Sequence, residues 1–374
     1  MHLVSIKPQW TIRRPGGEGL SPRLLELLAQ VHQEGTLSGV CRKTGASYRH
    51  AWSLVRQGEE QLGAPLLLME RGKGSKLTPL AEKLVWASHR INARLTPVLD
   101  TLASELEVEI ERVVGTAPAQ LSIHASHGFS IEKLLEFLAA AHVTVERKYV
   151  ASQEAAASLH DGACDLAGLP IAEGRFEERT LAHYARWLDP RSTRLIHVAT
   201  RHQGLMVAPG NPRKIYGVAD LARPDVRFIN RQRGSGTRFL LDCLLEDAGL
   251  DPARIAGFEQ GEFTHAAVAA YVASGMADAG LGVETPARRF KLDFVPLASE
   301  RYFLMCHEQS LHKPGIEATL RILRSAEFQQ AVNLLSGYSA QRCGEVETLK
   351  QAFPNHAVPK AGRAAPGMRP PGKS

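Results

Sequence analysis

Residues 35–84 read GTLSGVCRKTGASYRHAWSLVRQGEEQLGAPLLLMERGKGSKLTPLAEKL, and this stretch decides the fold of the N-terminal part of the chain. Thr36 or Ser38 can begin a short helix over 37–43, and residues 44–46 form a tight turn after it. A longer helix begins at Ser47 and ends near Gly63, a residue suited to a helix C-terminus. Upstream, SPRLLELLAQVH over 21–32 has a Ser-Pro start and leucines at helical spacing, which predicts another helix.

The helix that starts at Ser47 has two contrasting faces. Its predicted buried face is Tyr48, Trp52 (or Ala51), Val55 and Leu62. Its opposite face carries short polar and basic side chains of the kind that reach base edges and neutralise phosphates, namely Ser47, Arg49, His50, Ser53, Arg56 and Gln57. A solvated helix face is the plainer interpretation of the same residues.

A basic hairpin is predicted after this helix. Residues 65–69 form an apolar strand, residues 70–76 a glycine-rich basic turn, and residues 77–79 the return, so that the hairpin makes a wing. Together with the helices it supplies the DNA-contacting candidates, with Tyr48 counted here as well as on the buried face: Thr36, Ser38, Ser47, Tyr48, Arg49, His50, Ser53, Arg56, Arg71, Lys73 and Lys76.

The charge distribution agrees with a polyanionic partner for the N-terminal part. The chain has 374 residues and a formal net charge of +6. Residues 1–20 carry a net +2, residues 21–80 a net +3, and residues 359–374 a net +4, so the middle carries about −3. Basic ends also occur simply because they keep a protein soluble, so the charge alone decides little.

The order helix, helix, turn, helix, hairpin and long helix resembles the winged headpiece of molybdate-responsive (ModE-type) regulators, which are related to the LysR type. The Ser47-Tyr48-Arg49-x-Ala51-Trp52 run and Leu77-Thr78-Pro79 carry the resemblance, which covers roughly residues 20–110. It implies a headpiece that dimerises through the long helix and binds palindromic operators, with half-sites about one helical turn apart.

A long helix is predicted from Leu80 onwards. One apolar seam runs along it at steps of three and four, which Pro97 must kink or interrupt: Leu84, Ala87, Ile91, Leu95, Val98, Leu102, Leu106, Ile110 and Val113. A small headpiece cannot bury so long a seam, so we expect pairing with a second chain, as a homodimer or homotetramer.

Beyond Gly115 the pattern changes to strands that alternate with helices, which predicts an α/β sheet. Residues 195–200 and 205–208 are predicted as two separate strands, and 302–307 as a strand crossing back. The predicted domains are 1–79 for the winged helix-turn-helix, 80–114 for the linker and dimerisation helix, 115–345 for a two-lobed ligand-binding domain, and 346–374 for a disordered basic tail.

The run RQRGSGTR, residues 231–238, predicts an anion cradle. Its glycines let several N–H groups point at one spot, its hydroxyls add donors, and the helix that follows adds a partial positive charge. The candidates are Arg231, Arg233, Gly234, Ser235, Gly236, Thr237 and Arg238. An ordinary glycine turn with hydroxyl capping is the alternative. A Walker P-loop and a GxGxxG fingerprint are both absent from the sequence.

A second candidate half-site lies at a strand end in HASHGFS, residues 124–130, where Ser126 and His127 are the proposed contacts. Ser152, Thr264 and Gly280 complete the predicted ligand-binding set, and Gly168 and His265 are further cleft candidates.

Residues 115–340 resemble the periplasmic-binding-protein-like domain that is fused to ModE-type headpieces, and are similar to molybdate and tungstate binding proteins. The RGSGTR run and the segment DAGLG, residues 278–282, carry this resemblance. It implies two lobes that close on an oxyanion held by neutral donors, for which Ser126, Ser235 and Thr237 match best. The arginines of the loop depart from that pattern, which leaves open a pterin cofactor, formate or another small acid.

The predicted fold is therefore an all-α winged helix-turn-helix with a long linker helix, followed by a two-lobed α/β periplasmic-binding-protein-like domain. The predicted function is a cytoplasmic transcription regulator that binds double-stranded operator DNA and a small anionic effector, molybdate or tungstate. No cofactor, membrane contact, metal site or catalytic residue is expected: residues 1–10 lack a secretory core, and the five cysteines are scattered. An enzyme or binding protein of molybdenum-cofactor metabolism is the alternative.

Overall fold

The structure is a computed structural model, and it describes residues 3–13, 15–70, 74–114 and 121–355. The chain folds as two compact units, one formed by Ile6–Thr96 and the other by Met1–Ser5 with Pro97–Ser374. Two of the predicted DNA-contacting residues, Arg71 and Lys73, lie outside the described residues. No helix in the described part of the chain combines the length and the apolar character that crossing a membrane requires.

The unit Ile6–Thr96 begins with three helices, α1 (Pro22–Glu34), α2 (Leu37–Thr44) and α3 (Tyr48–Leu62), in an order that fits a helix-turn-helix. An antiparallel hairpin of β1 (Leu67–Glu70) and β2 (Gly74–Leu77) follows them. The predicted helix starts are present, because Thr36 Oγ1 accepts the Gly39 N–H at 3.0 Å and Ser47 Oγ accepts the His50 N–H at 3.5 Å.

Helix α3 buries most of its predicted face, with Val55 and Ala51 buried and Trp52 and Leu62 packed partly buried against the core, but Tyr48 differs from the prediction. Tyr48 is 45% exposed, and the buried stripe is Ala51, Val55 and Gly58. Gly58 explains the difference, because a Cβ there would lie 2.2 Å from Leu24 Cδ2 of α1. The close approach of α1 and α3 at this glycine brings the Ala51 side of α3 inwards and leaves Tyr48 at the surface.

Helix α4 (Pro79–Val114) is a single helix of 36 residues, and Pro97 does not interrupt it. The Thr101 hydroxyl donates to the Pro97 carbonyl at 2.9 Å, just past the point where one unit gives way to the other. Part of the predicted apolar seam is exposed, at Leu95, Val98, Leu102, Leu106 and Val113. The exposed seam lies at steps of three, four, four and seven, which keeps it on one side of the helix.

The second unit is α/β. Its elements in chain order are β3 (Leu121–Ala125), α5 (Phe129–Ala140), β4 (Val145–Tyr149), α6 (Ser152–His160), β5 (Leu166–Ala172), α7 (Glu177–Tyr184), β6 (Thr193–Val207), β7 (Phe228–Arg231), α8 (Gly236–Asp247), β8 (Gly261–Glu262), α9 (His265–Ala273), β9 (Ala279–Val283), α10 (Glu284–Arg289), β10 (Asp293–His307), α11 (Pro314–Arg324), α12 (Ala326–Asn333), β11 (Tyr338–Ser339), β12 (Val346–Thr348) and α13 (Leu349–Ala352).

Two long strands join two lobes. The sheet order is β4-β3-β5-β10-β6-β9-β7-β8, with β4, β3 and β5 parallel in lobe 1 and β9, β7 and β8 parallel in lobe 2. Strands β6 and β10 are antiparallel and have 15 residues each, so each contributes one half to each lobe. The predicted break between two strands near residue 200 is therefore wrong, because β6 runs unbroken through the hinge.

The predicted tail at 346–374 is wrong in its first part. Strand β12 pairs with β6 through Val346 and Ile196, α13 follows it, and Phe353 is buried in the lobe 1 core. The ordered domain thus extends through Asn355, because a short strand and a buried aromatic ring tie this segment to the sheet. The rest of the predicted tail lies outside the described residues.

Candidate functional site

A buried polar cluster lies where the two long strands cross between the lobes. Arg201 on β6 stands directly opposite Glu300 on β10, and Arg201 Nε lies 2.6 Å from Glu300 Oε1. Gln203 Nε2 donates to the same carboxylate oxygen at 3.1 Å and to Thr237 Oγ1, at the start of α8, at 3.1 Å. Of these four residues only Thr237 was predicted from the sequence.

Arg231, at the end of β7, is the second buried cation of the cluster. Its Nε donates to the Glu262 carbonyl at 3.2 Å and its Nη2 to the Phe263 carbonyl at 2.6 Å. Its Nη1 is buried and has no hydrogen-bond partner among the described residues. Burial and the nearby Arg201 lower the pKa of Arg231 to about 9, although the Glu300 and Glu262 carboxylates oppose the shift.

Two neutral histidines, His127 and His265, lie near Arg231. His127 of lobe 1 has a pKa lowered to about 4, chiefly by burial, and its Nε2 lies 3.1 Å from Glu132 Oε1. The pKa of His265, at the start of α9, lies well below its ordinary value because of burial and the charges of Arg231 and Arg201. At neutral pH the two arginines are therefore the cations of this cluster, since both imidazoles are uncharged.

Two tyrosine hydroxyls lie close to the cluster, each packed against the Cα of a glycine. A Cβ on Gly168 would lie 2.2 Å from the Tyr302 hydroxyl, and a Cβ on Gly236 would lie 3.1 Å from the Tyr184 hydroxyl. The two predicted serines stand beside these hydroxyls, Ser126 near Tyr302 and Ser152 near Tyr184. The structure thus brings Ser126, His127, Ser152, Gly236, Thr237 and Arg231 to the crossing region.

The rest of the predicted ligand set has local structural roles. Arg233 is 83% exposed and pairs with Glu259 at 2.8 Å. Arg238 donates from Nη1 to the Phe258 carbonyl at 2.9 Å and lies over the ring of that residue. Ser235 Oγ donates to the Gln232 carbonyl and accepts the Arg238 N–H, as a helix cap does.

Three further predicted residues have structural roles in the backbone or in packing. Gly234 accepts the Gln153 N–H at 3.3 Å, which joins the two lobes. Thr264 caps α9 by accepting the Ala267 N–H, and Gly280 lies inside β9, where Val268 leaves no room for a side chain.

In the unit Ile6–Thr96, most of the predicted DNA-contacting residues lie at the surface. The exposed ones are Ser38, Ser47, Tyr48, Arg49, His50, Ser53, Arg56 and Lys76, and Thr36 is partly buried as a helix cap. The Tyr48 and Trp52 rings are stacked with centroids 6.4 Å apart, and the Arg56 guanidinium lies 4.9 Å from the Trp52 ring. Glu59 holds Arg56 at 3.1 Å and accepts the Leu66 N–H, so it fixes α3 against the hairpin.

Comparison with known proteins places the second unit in a family. The model of the PBP superfamily domain matches residues 135–324, about half of the chain. The chain belongs to the PBP superfamily. The two-lobed sheet with its paired hinge strands is the part of this PBP superfamily chain that holds the buried polar cluster.

Two relatives and one solved structure give further similarity. The uncharacterized protein YvgK of Bacillus subtilis (strain 168) is 34% identical over 200 residues, 54% of this chain and 64% of that protein. This chain therefore spans less than two thirds of YvgK. The molybdenum-pterin-binding protein MopB of Rhodobacter capsulatus is 29% identical over 102 residues, 26% of this chain and 38% of MopB. The crystal structure of CbnR, a LysR family transcriptional regulator, covers 79% of this chain and 97% of CbnR, at 18% identity and a TM-score of 0.36.

Proposed function

We propose that this protein is a ligand-responsive DNA-binding transcription regulator, with a winged helix-turn-helix in the unit Ile6–Thr96 and a small-anion site at the lobe crossing. The observation that carries the sensor half is Arg231, a buried cation whose Nη1 has no partner among the described residues. A buried guanidinium is expensive unless it meets an acceptor, and an anion supplies one.

The DNA-binding half rests on the exposed face of α3. Arg49, His50, Ser53 and Arg56 project from one capped helix, and the hairpin β1–β2 follows it as a wing. Such a face suits a major groove, with basic residues on phosphates and shorter polar ones on base edges. The apolar seam of α4 would pair with a second copy of the chain, so the operator-binding form would be a ModE-like dimer.

Regulation would follow from lobe closure. The anion would bind more tightly to one arrangement of the lobes than to another, and this difference in affinity would shift DNA binding. Among small anions, the sequence resemblance and the name of the relative MopB suggest molybdate and tungstate as effectors. Formate, a pterin and other small acids are the alternatives that the arginines leave open.

The test is a thermal-shift and calorimetry series on the full chain with molybdate, tungstate, sulfate, phosphate and formate at constant ionic strength. We expect one of these anions to bind saturably and Arg231→Gln to abolish its binding. Arg233→Gln is the matched control, because this neighbouring arginine is exposed and ion-paired away from the cluster. Equal binding by Arg231→Gln and wild type would refute the anion site.

DNA binding is tested separately by selecting fragments from a random duplex library at two salt concentrations. We expect Arg49→Ala to weaken binding and to lower the slope of affinity against salt, as loss of a phosphate contact does. Glu18→Ala, a change outside α3, should leave the slope unchanged. A wild-type protein that retains no duplex would refute the regulator.

A further inference from the structure

Several buried polar atoms of the crossing region have no partner among the described residues, the Tyr184 and Tyr302 hydroxyls among them, and two of the others have opposite hydrogen-bonding character. Arg231 Nη1 is a charged donor, and Gln203 Oε1 is a neutral acceptor, and neither has a partner among the described residues. Both side chains are essentially excluded from solvent, with exposures of 2% and 0%. Both side chains lie near the Glu300 carboxylate: Gln203 donates a hydrogen bond to it, and its charge raises the pKa of Arg231. A ligand that satisfies only one of the two would leave the other unpaired.

The orientation of the Gln203 amide is fixed by its neighbours. The Glu300 carboxylate, already paired with Arg201, can only accept hydrogen bonds, so the amide must turn its NH₂ group towards it. The same NH₂ group donates to Thr237 Oγ1, which leaves the Thr237 hydroxyl proton free to donate elsewhere. The amide oxygen therefore points away from the carboxylate, and it can be satisfied only by a donor.

We propose that the ligand of this site presents an ionised oxygen to Arg231 and a hydrogen-bond donor of its own to Gln203. This inference rests on the proposed anion site and narrows its chemistry to a protonated oxyanion, such as hydrogen phosphate, or to a hydroxy acid. Sulfate, molybdate and tungstate carry no proton at neutral pH and offer acceptors only. They would bind with the Gln203 oxygen buried and unpaired, at a cost of roughly fivefold to a hundredfold in affinity.

The experiment is isothermal titration calorimetry of the full chain at pH 7 with two matched pairs of probes. Phosphate and sulfate share a tetrahedral shape and differ in the proton, and glycolate and acetate differ in one hydroxyl. We expect the member of a pair that carries the donor to bind about tenfold tighter or more, with molybdate and tungstate behaving as sulfate does. Preference within the first pair indicates a protonated oxyanion, and preference within the second indicates a hydroxy acid.

Gln203→Met supplies the variant arm, because methionine has a similar length and lacks the acceptor. The preference within the responding pair should fall to about threefold or less in this variant, whereas Gln260→Met, an exposed glutamine of lobe 2, should keep the full preference. The wild-type ratios test the proposal even if Gln203→Met fails to fold.

Three results would overturn the proposal. Wild-type protein that binds sulfate or molybdate as tightly as phosphate, and acetate as tightly as glycolate, retains the anion site but shows that no donor is required. A preference that Gln203→Met leaves unchanged assigns the selectivity to another group. If none of the probes binds wild type, the proposed anion site itself fails, and this inference fails with it.

Discussion

Replacement of Glu300 by glutamine should destabilise the second unit strongly. The Arg201 and Glu300 side chains are 3% and 2% exposed, and their charged atoms are 2.6 Å apart. Glutamine keeps the shape of the side chain but removes its charge, which leaves Arg201 as an uncompensated buried cation. Breaking a buried pair in this way costs about 3–5 kcal/mol. In a unit of this size each kcal/mol shifts the melting temperature by about 2–4 °C, so we expect a fall of roughly 6–20 °C.

The assay is differential scanning calorimetry of the full chain, with an exposed pair of the same chemistry as control. Arg233 and Glu259 form an ion pair at 2.8 Å with 83% and 65% of their side chains exposed, and the buried Arg238, 3.6 Å from Glu259, also pairs with Asp242, so Glu259→Gln should lower the melting temperature far less than Glu300→Gln. The double variant Arg201→Met with Glu300→Leu should recover much of the loss, because it leaves no buried charge unpaired. If Glu300→Gln has the same melting temperature as Glu259→Gln, the reasoning is refuted.

Two more predictions concern acid stability and the edge of lobe 1. Burial is the main reason why the pKa values of His127 and His197 are lowered from 6.5 to about 4. As the pH falls, the unfolded chain therefore takes up protons before the folded chain does. Denaturant unfolding should show the free energy of unfolding decreasing between about pH 6.5 and 4, and decreasing less steeply in His197→Leu. Ser104 Oγ accepts the Arg147 N–H at 3.0 Å and donates to the Val145 carbonyl at 3.3 Å, which closes the edge strand β4. Ser104→Ala should cost about 1–3 kcal/mol and speed hydrogen exchange at the Arg147 amide, and unchanged exchange would contradict this role.

The fold of the N-terminal unit could be predicted because its signals are local. Thr36 and Ser47 cap the helices that they were expected to begin, and Gly63 ends α3 in the left-handed conformation. The exposure of Tyr48 could not be predicted, because the close approach of α3 to α1 depends on a contact between Gly58 and Leu24, 34 residues apart in sequence. Helical periodicity alone does not show that the small residues Ala51 and Gly58, rather than the neighbouring Tyr48, lie against α1.

The candidate site shows the opposite balance of local and distant information. Ser235 and Arg238 lie in the glycine-rich run that predicts an anion cradle, yet their polar atoms form hydrogen bonds within the loop and at the start of α8. Arg201, Gln203 and Glu300 belong to no recognisable motif, because they lie on two strands about 100 residues apart in the sequence. They form a cluster because the register of β6 against β10 places Arg201 opposite Glu300, and that register is set only in the folded sheet.

Placement of the ion pair on the crossing strands suits a site that must operate while two lobes move. Residues at the crossing of β6 and β10 lie on the hinge itself, so a change in the angle between the lobes displaces them least. Arg201 and Glu300 can therefore keep their contact in every arrangement of the lobes. His127 belongs to lobe 1 and Arg231 to lobe 2, and they lie near enough for the charge of Arg231 to affect the imidazole. In the proposed site, an anion held between them would gain contacts as the lobes close, whereas one bound to the hinge pair alone would favour no arrangement over another. Under the proposed function, the residue that would report the ligand is therefore Arg231, whose free donor would move with its lobe, rather than the more strongly paired Arg201.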